Sequence, residues 1–313
     1  MIGHEKEYAR LLDVLSRGER PNALLVGEAG IGKETIIAHL AFELVKDRVP
    51  KALFDRRLVG LDIAKMIAGA SPEEIQSRIQ EIAKEIATAE NIILYLPDAH
   101  NLLKTSGEAF ISVADALLPI IQNNLFPVVC ATYPKEFKRD IEPRSDFLGL
   151  FETINVEEIS EEEAGRILTL IGVMLERQNK IEVGFGAIKT AVSLAKKYFR
   201  GAKFLPGSAE DLLRGAVAIA EKKGEKKLTA EDVVSAAESK TNIPIHEAKG
   251  EEAEALLNFE EIVHEKFIDQ EEAVKAVGNS LREYRSGLSR KGGPIASFLF
   301  VGRQYMTTAI SGM

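Results

Sequence analysis

The chain has 313 residues, of which 45% are hydrophobic and 28% charged, a balance typical of a folded protein with a sizeable core. At about 100–200 residues per domain, this length predicts two domains and a fragment of a third. The net charge of −8 argues against general nucleic-acid binding, and a single cysteine excludes a disulfide framework or a multi-cysteine zinc site. No apolar run reaches the ~18 residues of a membrane span, and the charged amino terminus does not resemble a signal peptide. We therefore expect a cytoplasmic protein with neither a membrane nor a nucleic acid as its partner.

Short apolar runs alternate with helical patterns in the first half of the chain. Buried strands are predicted at residues 23–27, 58–62, 92–96, 126–132 and 152–156. A helix is predicted over residues 33–46, and Ser71, Pro72 and Glu74 have the spacing of a capped start of another helix. Strands interleaved with helices indicate a parallel sheet covered on both faces, so residues 1–156 are predicted to form an α/β domain.

Helical patterns alone follow residue 156. They lie near residues 161–178, 186–199, 208–223 and 230–239, and predict an all-α domain over residues 157–240. A linker-like stretch and a charged run come next, followed by two more helical patterns. Residues 296–302 look like the opening strand of another α/β domain. We interpret residues 241–313 as a linker and the truncated start of a further module.

One motif carries recognisable chemistry. Residues 27–33 read Gly-Glu-Ala-Gly-Ile-Gly-Lys and fit the phosphate-binding pattern G-x-x-x-x-G-K, between a predicted strand and a predicted helix. The glycines allow backbone N–H groups to surround phosphates, and the helix amino terminus adds about half a positive charge. Lys33 would reach the terminal phosphates. This context favours nucleotide binding over a glycine-rich turn without a ligand.

Two departures from the usual pattern leave ATP hydrolysis open. The residue after Lys33 is Glu34, where a Ser or Thr hydroxyl normally binds Mg²⁺, and Thr35 comes one position later. Glu34 could repel phosphate, contact the metal itself or turn into solvent, so the role of Mg²⁺ stays open. The third apolar strand ends in Pro97-Asp98, which offers one carboxylate where hydrolysing enzymes of this type usually have two. Asp98 is therefore either a catalytic group or a turn residue at a strand end.

The order of these motifs resembles the first ATPase module of the Clp family of AAA+ ATP-dependent unfoldases. The matching segments are residues 2–7 (the opening box), 27–33 (Walker A), 92–100 (Walker B), 131–132 (sensor 1), 204–213 (the lid), 241–245 (the junction between modules), and 267–273 with 295–302 (the start of a second module). The resemblance implies an α/β AAA+ domain with a parallel P-loop sheet, followed by an all-α lid domain. It also implies ATP or ADP as the ligand, other AAA+ subunits as partners, and a protein substrate or adaptor.

The family pattern also predicts the site residues. Nucleotide binding falls to Ile2, Gly3, Glu28, Ala29, Gly30, Ile31, Gly32, Lys33, Glu34, Thr35, Leu205 and Pro206. Ile2 and Gly3 would flank the adenine, while Leu205 and Pro206 would approach it from the lid. If hydrolysis persists, Asp98 and Thr132 are the expected catalytic residues.

Several family features are missing. Glu34 and Pro97-Asp98 replace the metal-binding and water-polarising residues, and no paired arginines lie near residues 147–151. No pore aromatic follows Gly69-Ala70, and no second Walker loop follows Gly302. These changes favour a Clp-like AAA+ module with weakened or lost hydrolysis. The alternative is a non-catalytic AAA+ scaffold or regulatory subunit that acts through protein–protein interaction.

Overall fold

The computed structural model describes residues 1–63, 65, 71–103, 113–199, 201, 203–241, 245, 251–265, 270–285 and 296–299. The chain divides into two compact units, Met1–Ala236 and Ala237–Met313. In the part of the chain that is described, no helix is both long enough and apolar enough to cross a membrane.

A five-stranded sheet forms the centre of the first unit. Its strands are β1 (Ala23–Val26), β2 (Arg57–Gly60), β3 (Ile92–Leu96), β4 (Val128–Thr132) and β5 (Glu152–Asn155). They lie in the order β2-β3-β4-β1-β5, and neighbouring strands are parallel. The predicted strands are thus confirmed. Because Val26 pairs with both Thr132 and Asn155, the carboxyl ends of the three strands lie side by side. The glycine-rich loop leaves the sheet at this edge.

Helices cover both faces of the sheet. They are α1 (Glu5–Leu15), α2 (Lys33–Val45), α3 (Pro72–Ala89) and α4 (Val113–Gln122). Helix α3 buries Ile79 and Ile86 in one apolar cluster, and α2 buries Ile36 and Leu40 in the cluster on the opposite face. The predicted cap of α3 is confirmed, since Ser71 and Glu74 exchange both capping hydrogen bonds. Short helical turns occupy Lys51–Leu53, Ala99–Leu102, Pro134–Glu136, Phe137–Ile141 and Ser145–Leu148.

Four longer helices follow the sheet. These are α5 (Glu161–Asn179), α6 (Phe185–Tyr198), α7 (Gly207–Lys223) and α8 (Ala230–Thr241), as the patterns predicted. Two short strands lie between these helices along the chain, β6 (Glu182–Val183) and β7 (Lys227–Leu228), and they pair in parallel with each other. Two-residue strands are too short to show the alternation that would predict them from sequence. Helix α5 begins with the expected capping box of Ser160 and Glu163.

The second unit contains three helices among its described residues. They are α9 (Glu251–Leu257), α10 (Phe259–His264) and α11 (Glu271–Arg285), where the sequence predicts two, because the first helical pattern is interrupted at Asn258. Arg282 donates to the Leu256 carbonyl at 2.9 Å and pairs with Glu260. Residues 296–299 are not in a strand, and the rest of the predicted strand, like Gly69 and Ala70, lies outside the described residues.

Candidate nucleotide-binding site

The glycine-rich loop lies between β1 and α2 at the carboxyl edge of the sheet. Gly27 donates its N–H to the Thr132 carbonyl at 3.3 Å, which fixes the start of the loop beside β4. Gly30 and Gly32 have φ angles of +77° and +116°. Side chains disfavour this left-handed region, so the loop conformation depends on glycine at both positions.

The carbonyl groups of this loop are all bound by the protein. The Lys33 ammonium donates to the Gly27 and Glu28 oxygens at 2.8 and 3.0 Å. The remaining carbonyls accept as follows: Ala29 from Phe204 N–H at 2.9 Å, Gly30 from Gly207 N–H at 3.0 Å, Ile31 from the His4 ring at 2.7 Å, and Gly32 from Ile36 N–H at 3.0 Å. Every oxygen from residue 27 to residue 32 is therefore turned toward a protein donor.

The N–H groups of the same loop show the opposite pattern. Among the described residues, none of the backbone N–H groups from Glu28 to Thr35 donates to a protein acceptor. Three of them belong to the first turn of α2, where the helix dipole is positive. The loop thus presents donors without competing acceptors, which is the arrangement that binds an anion.

The segment before α7 contacts the loop closely. A Cβ atom added at Gly30 would lie 2.5 Å from Lys203 Cγ, and one at Gly207 would lie 2.8 Å from Gly30 Cα. Lys203 continues past the loop to Asp211, which its ammonium contacts at 2.9 Å. Leu205 is buried, and its N–H donates to Glu158 at 2.9 Å. The predicted lid segment is thus beside the loop, held mainly by backbone contacts.

The amino-terminal segment supports the loop from another direction. Gly3 is buried beside Ile159 with a φ of +67°, and Ile2 and Pro206 are partly exposed. His4 is buried, and its Nε2 contacts the Ile31 carbonyl, so Nε2 carries the proton and donates. The contact of His4 with Ile31 could not be predicted from the sequence, because no local pattern links residues 27 positions apart. Contact of Ile2 and Gly3 with adenine stays a prediction.

Lys33 is almost fully buried at the start of α2. Burial lowers the pKa of its ammonium, and the negative charges of Glu34, Asp98 and Glu28 oppose that shift. The ring of Tyr133 lies beneath the ammonium, with its centroid 4.3 Å from Nζ. The ammonium of Lys33 therefore lies between the loop and the adjacent strand ends, close to the negative charges of these three carboxylates.

The two predicted catalytic residues lie at the ends of β3 and β4. Thr132 is fully buried, and its hydroxyl is 3.2 Å from His100 Nδ1. Asp98 has a left-handed backbone with φ of 51° and lies beside Tyr133. The pKa of Tyr133 is raised by burial first, then by the negative charges of Asp98 and Glu34. Both predicted residues are thus near the loop, Thr132 in contact with His100 and Asp98 close to Tyr133.

Few of the described side chains near the loop could act as ligands to a metal cation. Glu34 and Thr35 are exposed on the first turn of α2. Within the described residues, no group of three or more His, Cys, Asp or Glu side chains could hold a metal ion. Mg²⁺ takes most of its ligands from phosphates and water, and needs only one or two carboxylates from the protein. Glu34 and Asp98 are the carboxylates that could supply them.

Arg144 lies just before residues 147–151, the segment in which the paired arginines of the family are missing, and it contacts nearby carboxylates. Arg144 donates to Asp115 and to Asp146, each at 2.7 Å. Phe147 and Phe151 are buried and stack with ring centroids 4.9 Å apart. Both ends of the segment at residues 147–151 thus pack into the core.

Comparison with known proteins identifies the class. Residues 23–152 match the AAA family, described as the ATPase family associated with various cellular activities, and residues 160–279 match the AAA lid domain. The chain is 28% identical, over 96% of its length, to the chaperone protein ClpB of Oceanobacillus iheyensis and to the negative regulator of genetic competence ClpC/MecB of Bacillus subtilis. Each alignment covers 45% of the relative.

Solved structures of Hsp104 complexes agree with this match. A closed-state structure of Hsp104 with ATPγS and FITC-casein has a TM-score of 0.79 at 30% identity, over 92% of this chain and 50% of the Hsp104 chain. The S. cerevisiae Hsp104–ADP complex has a TM-score of 0.71 at the same identity and coverage.

The fold is therefore that of an AAA domain followed by an AAA lid domain. The chain belongs to the Clp family of AAA+ ATPases, as the order of its motifs predicted. It spans about half the length of the relatives that it matches.

Proposed function

We propose that this chain is a Clp-type AAA+ module that binds ATP or ADP in the loop from Glu28 to Thr35, and that its hydrolysis of ATP is weakened or lost. The observation that carries the first part is the polarity of the loop. Its carbonyl oxygens accept from the protein, while its N–H groups have no acceptor among the described residues. A polyphosphate supplies the missing acceptors.

The charges near the loop decide whether an anion is stabilised there. A carboxylate about 4 Å from a phosphate costs roughly 4 kcal/mol per charge pair at an effective dielectric near 20. A hydrogen bond to a charged oxygen contributes about 1.5–3 kcal/mol, and the loop offers several besides the buried ammonium of Lys33. Glu34 is exposed, so solvent screens its repulsion. Binding therefore outweighs repulsion.

The strand ends support the second part of the proposal. Hydrolysis needs a group that polarises water, and such a general base contributes about 10²–10⁴ in rate. Pro97 cannot act in this way, and Asp98 is a single carboxylate close to the Tyr133 hydroxyl, whose pKa is raised first by burial and then by the charge of Asp98. The Thr132 hydroxyl faces His100. This strand end thus offers one carboxylate where hydrolysing enzymes of this type usually have two.

Calorimetric titration of ADP and ATP, with and without Mg²⁺, tests the binding proposal. Lys33→Ala should weaken both nucleotides by about 10–100-fold, because it removes a charge-assisted contact worth about 1.5–3 kcal/mol. Lys46→Ala is the matched control: this lysine lies just past the other end of α2, 4.0 Å from the Phe42 ring centroid. It should leave binding unchanged. The absence of a binding signal with every nucleotide would contradict the proposal.

A scaffold role is the second candidate, and one surface favours it. Helix α5 exposes Leu170, Val173 and Met174 at helical spacing, with exposed fractions of 59%, 42% and 52%. Such a stripe suits contact with another AAA+ subunit, an adaptor or a protein substrate. Sedimentation of wild type and Lys33→Ala separates the candidates. A scaffold would assemble equally in both and without nucleotide, whereas assembly that needs ADP and Lys33 would favour the nucleotide-driven module.

A further inference from the structure

The ring of Tyr133 lies between the two halves of the site. Tyr133 directly follows Thr132 at the end of β4, and its ring centroid is 4.3 Å from Lys33 Nζ. Burial and then the negative charge of Asp98 raise the pKa of its hydroxyl, and its ring meets that of His100 edge-on with centroids 5.9 Å apart. Tyr133 thus lies beside the lysine of the loop and close to the carboxylate at the end of β3.

The contacts of Lys33 explain why this position matters. An ammonium has three donors, and two of them are directed to the carbonyl oxygens of Gly27 and Glu28. The ring of Tyr133 occupies the remaining side through a cation–π contact. A phosphate oxygen that binds to Lys33 from this side has to displace the ring.

We propose that Tyr133 is a specificity-determining residue that makes the site favour a nucleoside diphosphate over a nucleoside triphosphate. The inference rests on the nucleotide-binding function proposed above. Tyr133 contacts the loop through the ammonium of Lys33, so phosphates held by the loop N–H groups alone would leave this contact intact. A third phosphate that reached Lys33 on the side of the ring would lose the ring contact and meet the negative charges of Asp98 and Glu34, which act on Lys33.

Competition between ADP and ATP measures the effect. Wild type should bind ADP about tenfold more tightly than ATP, a difference of about 1.4 kcal/mol. Tyr133→Thr should raise the ATP affinity so that the two differ by about twofold or less, with little change for ADP. Tyr133→Phe keeps the ring and should retain most of the preference. Tyr198→Thr is the control, because Tyr198 contacts Lys197 on α6 at 4.9 Å.

The outcomes separate this inference from the proposed function. An equal ATP-to-ADP ratio in wild type and Tyr133→Thr, with both nucleotides lost in Lys33→Ala, would overturn the inference and leave nucleotide binding intact. No binding by wild type or Tyr133→Thr would overturn both.

A measurement on the unmodified protein covers the case in which Tyr133→Thr fails to fold. The chain has no tryptophan, so intrinsic fluorescence reports its six tyrosines. Saturating ATP should change the tyrosine emission in a way that saturating ADP does not, because only ATP moves the Tyr133 ring. Identical changes with both nucleotides would contradict the proposal.

Discussion

Two regions at the carboxyl edge of one sheet differ in how they are held. The loop from Gly27 to Lys33 is supported by hydrogen bonds to its carbonyls from His4, from the lid segment and from Lys33 itself. From Glu28 onward, its N–H groups have no acceptors among the described residues. At the ends of β3 and β4, by contrast, the polar side chains lie close to one another: His100 contacts Thr132, and the charge of Asp98 acts on Tyr133.

Binding and hydrolysis therefore depend on different kinds of contact. The loop uses backbone groups, which survive most changes of side chain and require glycine only where φ is positive or the lid approaches closely. Hydrolysis depends on particular side chains, so we expect the proline and the tyrosine at these strand ends to weaken it. An AAA+ module can therefore keep its phosphate loop after its hydrolytic groups have changed.

The largest effect is expected from rebuilding the altered strand end. The triple variant Glu34→Thr, Pro97→Asp and Asp98→Glu should raise phosphate release by about a hundredfold or more, because it restores a metal-binding hydroxyl and a water-polarising carboxylate. Adding Lys33→Ala to that variant should abolish the gain. No response from a folded triple variant that binds ATP would favour the scaffold function.

The lid contact provides the next test. In Gly207→Ala the new Cβ would lie 2.8 Å from Gly30 Cα and 2.9 Å from Gly30 O, and neither backbone atom can move cheaply. Overpacking of this kind costs about 1–3 kcal/mol. We expect a lower Tm and weaker ADP binding by calorimetry. Gly201→Ala, which meets nothing within 4 Å, should match wild type, and equal behaviour of the two variants would contradict the close approach.

His4 tests the support of the loop from the amino terminus. His4→Asn tolerates the left-handed φ of 59° but is too short to reach Ile31, so a buried carbonyl loses its donor at a cost of about 1–3 kcal/mol. Thermal unfolding should show a lower Tm, and ADP affinity should fall several-fold. Glu7→Gln alters only the contact at 3.9 Å on the other side of the ring and should have little effect. Equal loss in both variants would argue against a role for the Ile31 contact.

A substitution in the lid alone, at Asp232, is expected to change the stability of the protein least. Burial by itself would raise the pKa of Asp232, but its bonds to Lys223 and Thr229 outweigh burial and lower the pKa below 3.8. The unfolded chain therefore takes up its proton first as the pH falls, so the stabilisation from this carboxylate is present above about pH 4 and is lost below it. Asp232→Asn should lower Tm modestly near neutral pH, and the gap to wild type should shrink below pH 3.8.

ADP affinity at neutral pH should stay the same in Asp232→Asn, because Asp232 contacts Thr229 and Lys223 and not the loop. A gap in Tm that widens in acid would contradict the sign of the pKa shift. A large loss of ADP affinity would mean that lid stability and phosphate binding are not separable.

Local signals predicted most of the fold. Ser71 and Glu74 mark the start of α3 because capping is local, and the apolar runs give the strands of the sheet because strands buried on both faces are continuous. The loop from Gly27 to Lys33 was also found from its spacing. The sequence could not reveal that Tyr133 lies over Lys33, or that Phe204 binds the Ala29 carbonyl, since both contacts depend on tertiary packing.

The proposed module binds ATP in its phosphate loop but hydrolyses it poorly at the ends of β3 and β4. A single-turnover experiment with labelled ATP and excess protein, in which bound nucleotide is separated and identified over time, tests both parts at once. We expect wild type to retain ATP and Lys33→Ala not to retain it. The bound nucleotide should stay ATP long after an active ATPase of the usual rate of about 1–10³ per second would have converted it. Rapid conversion to ADP, or no retained nucleotide, would contradict the proposed function.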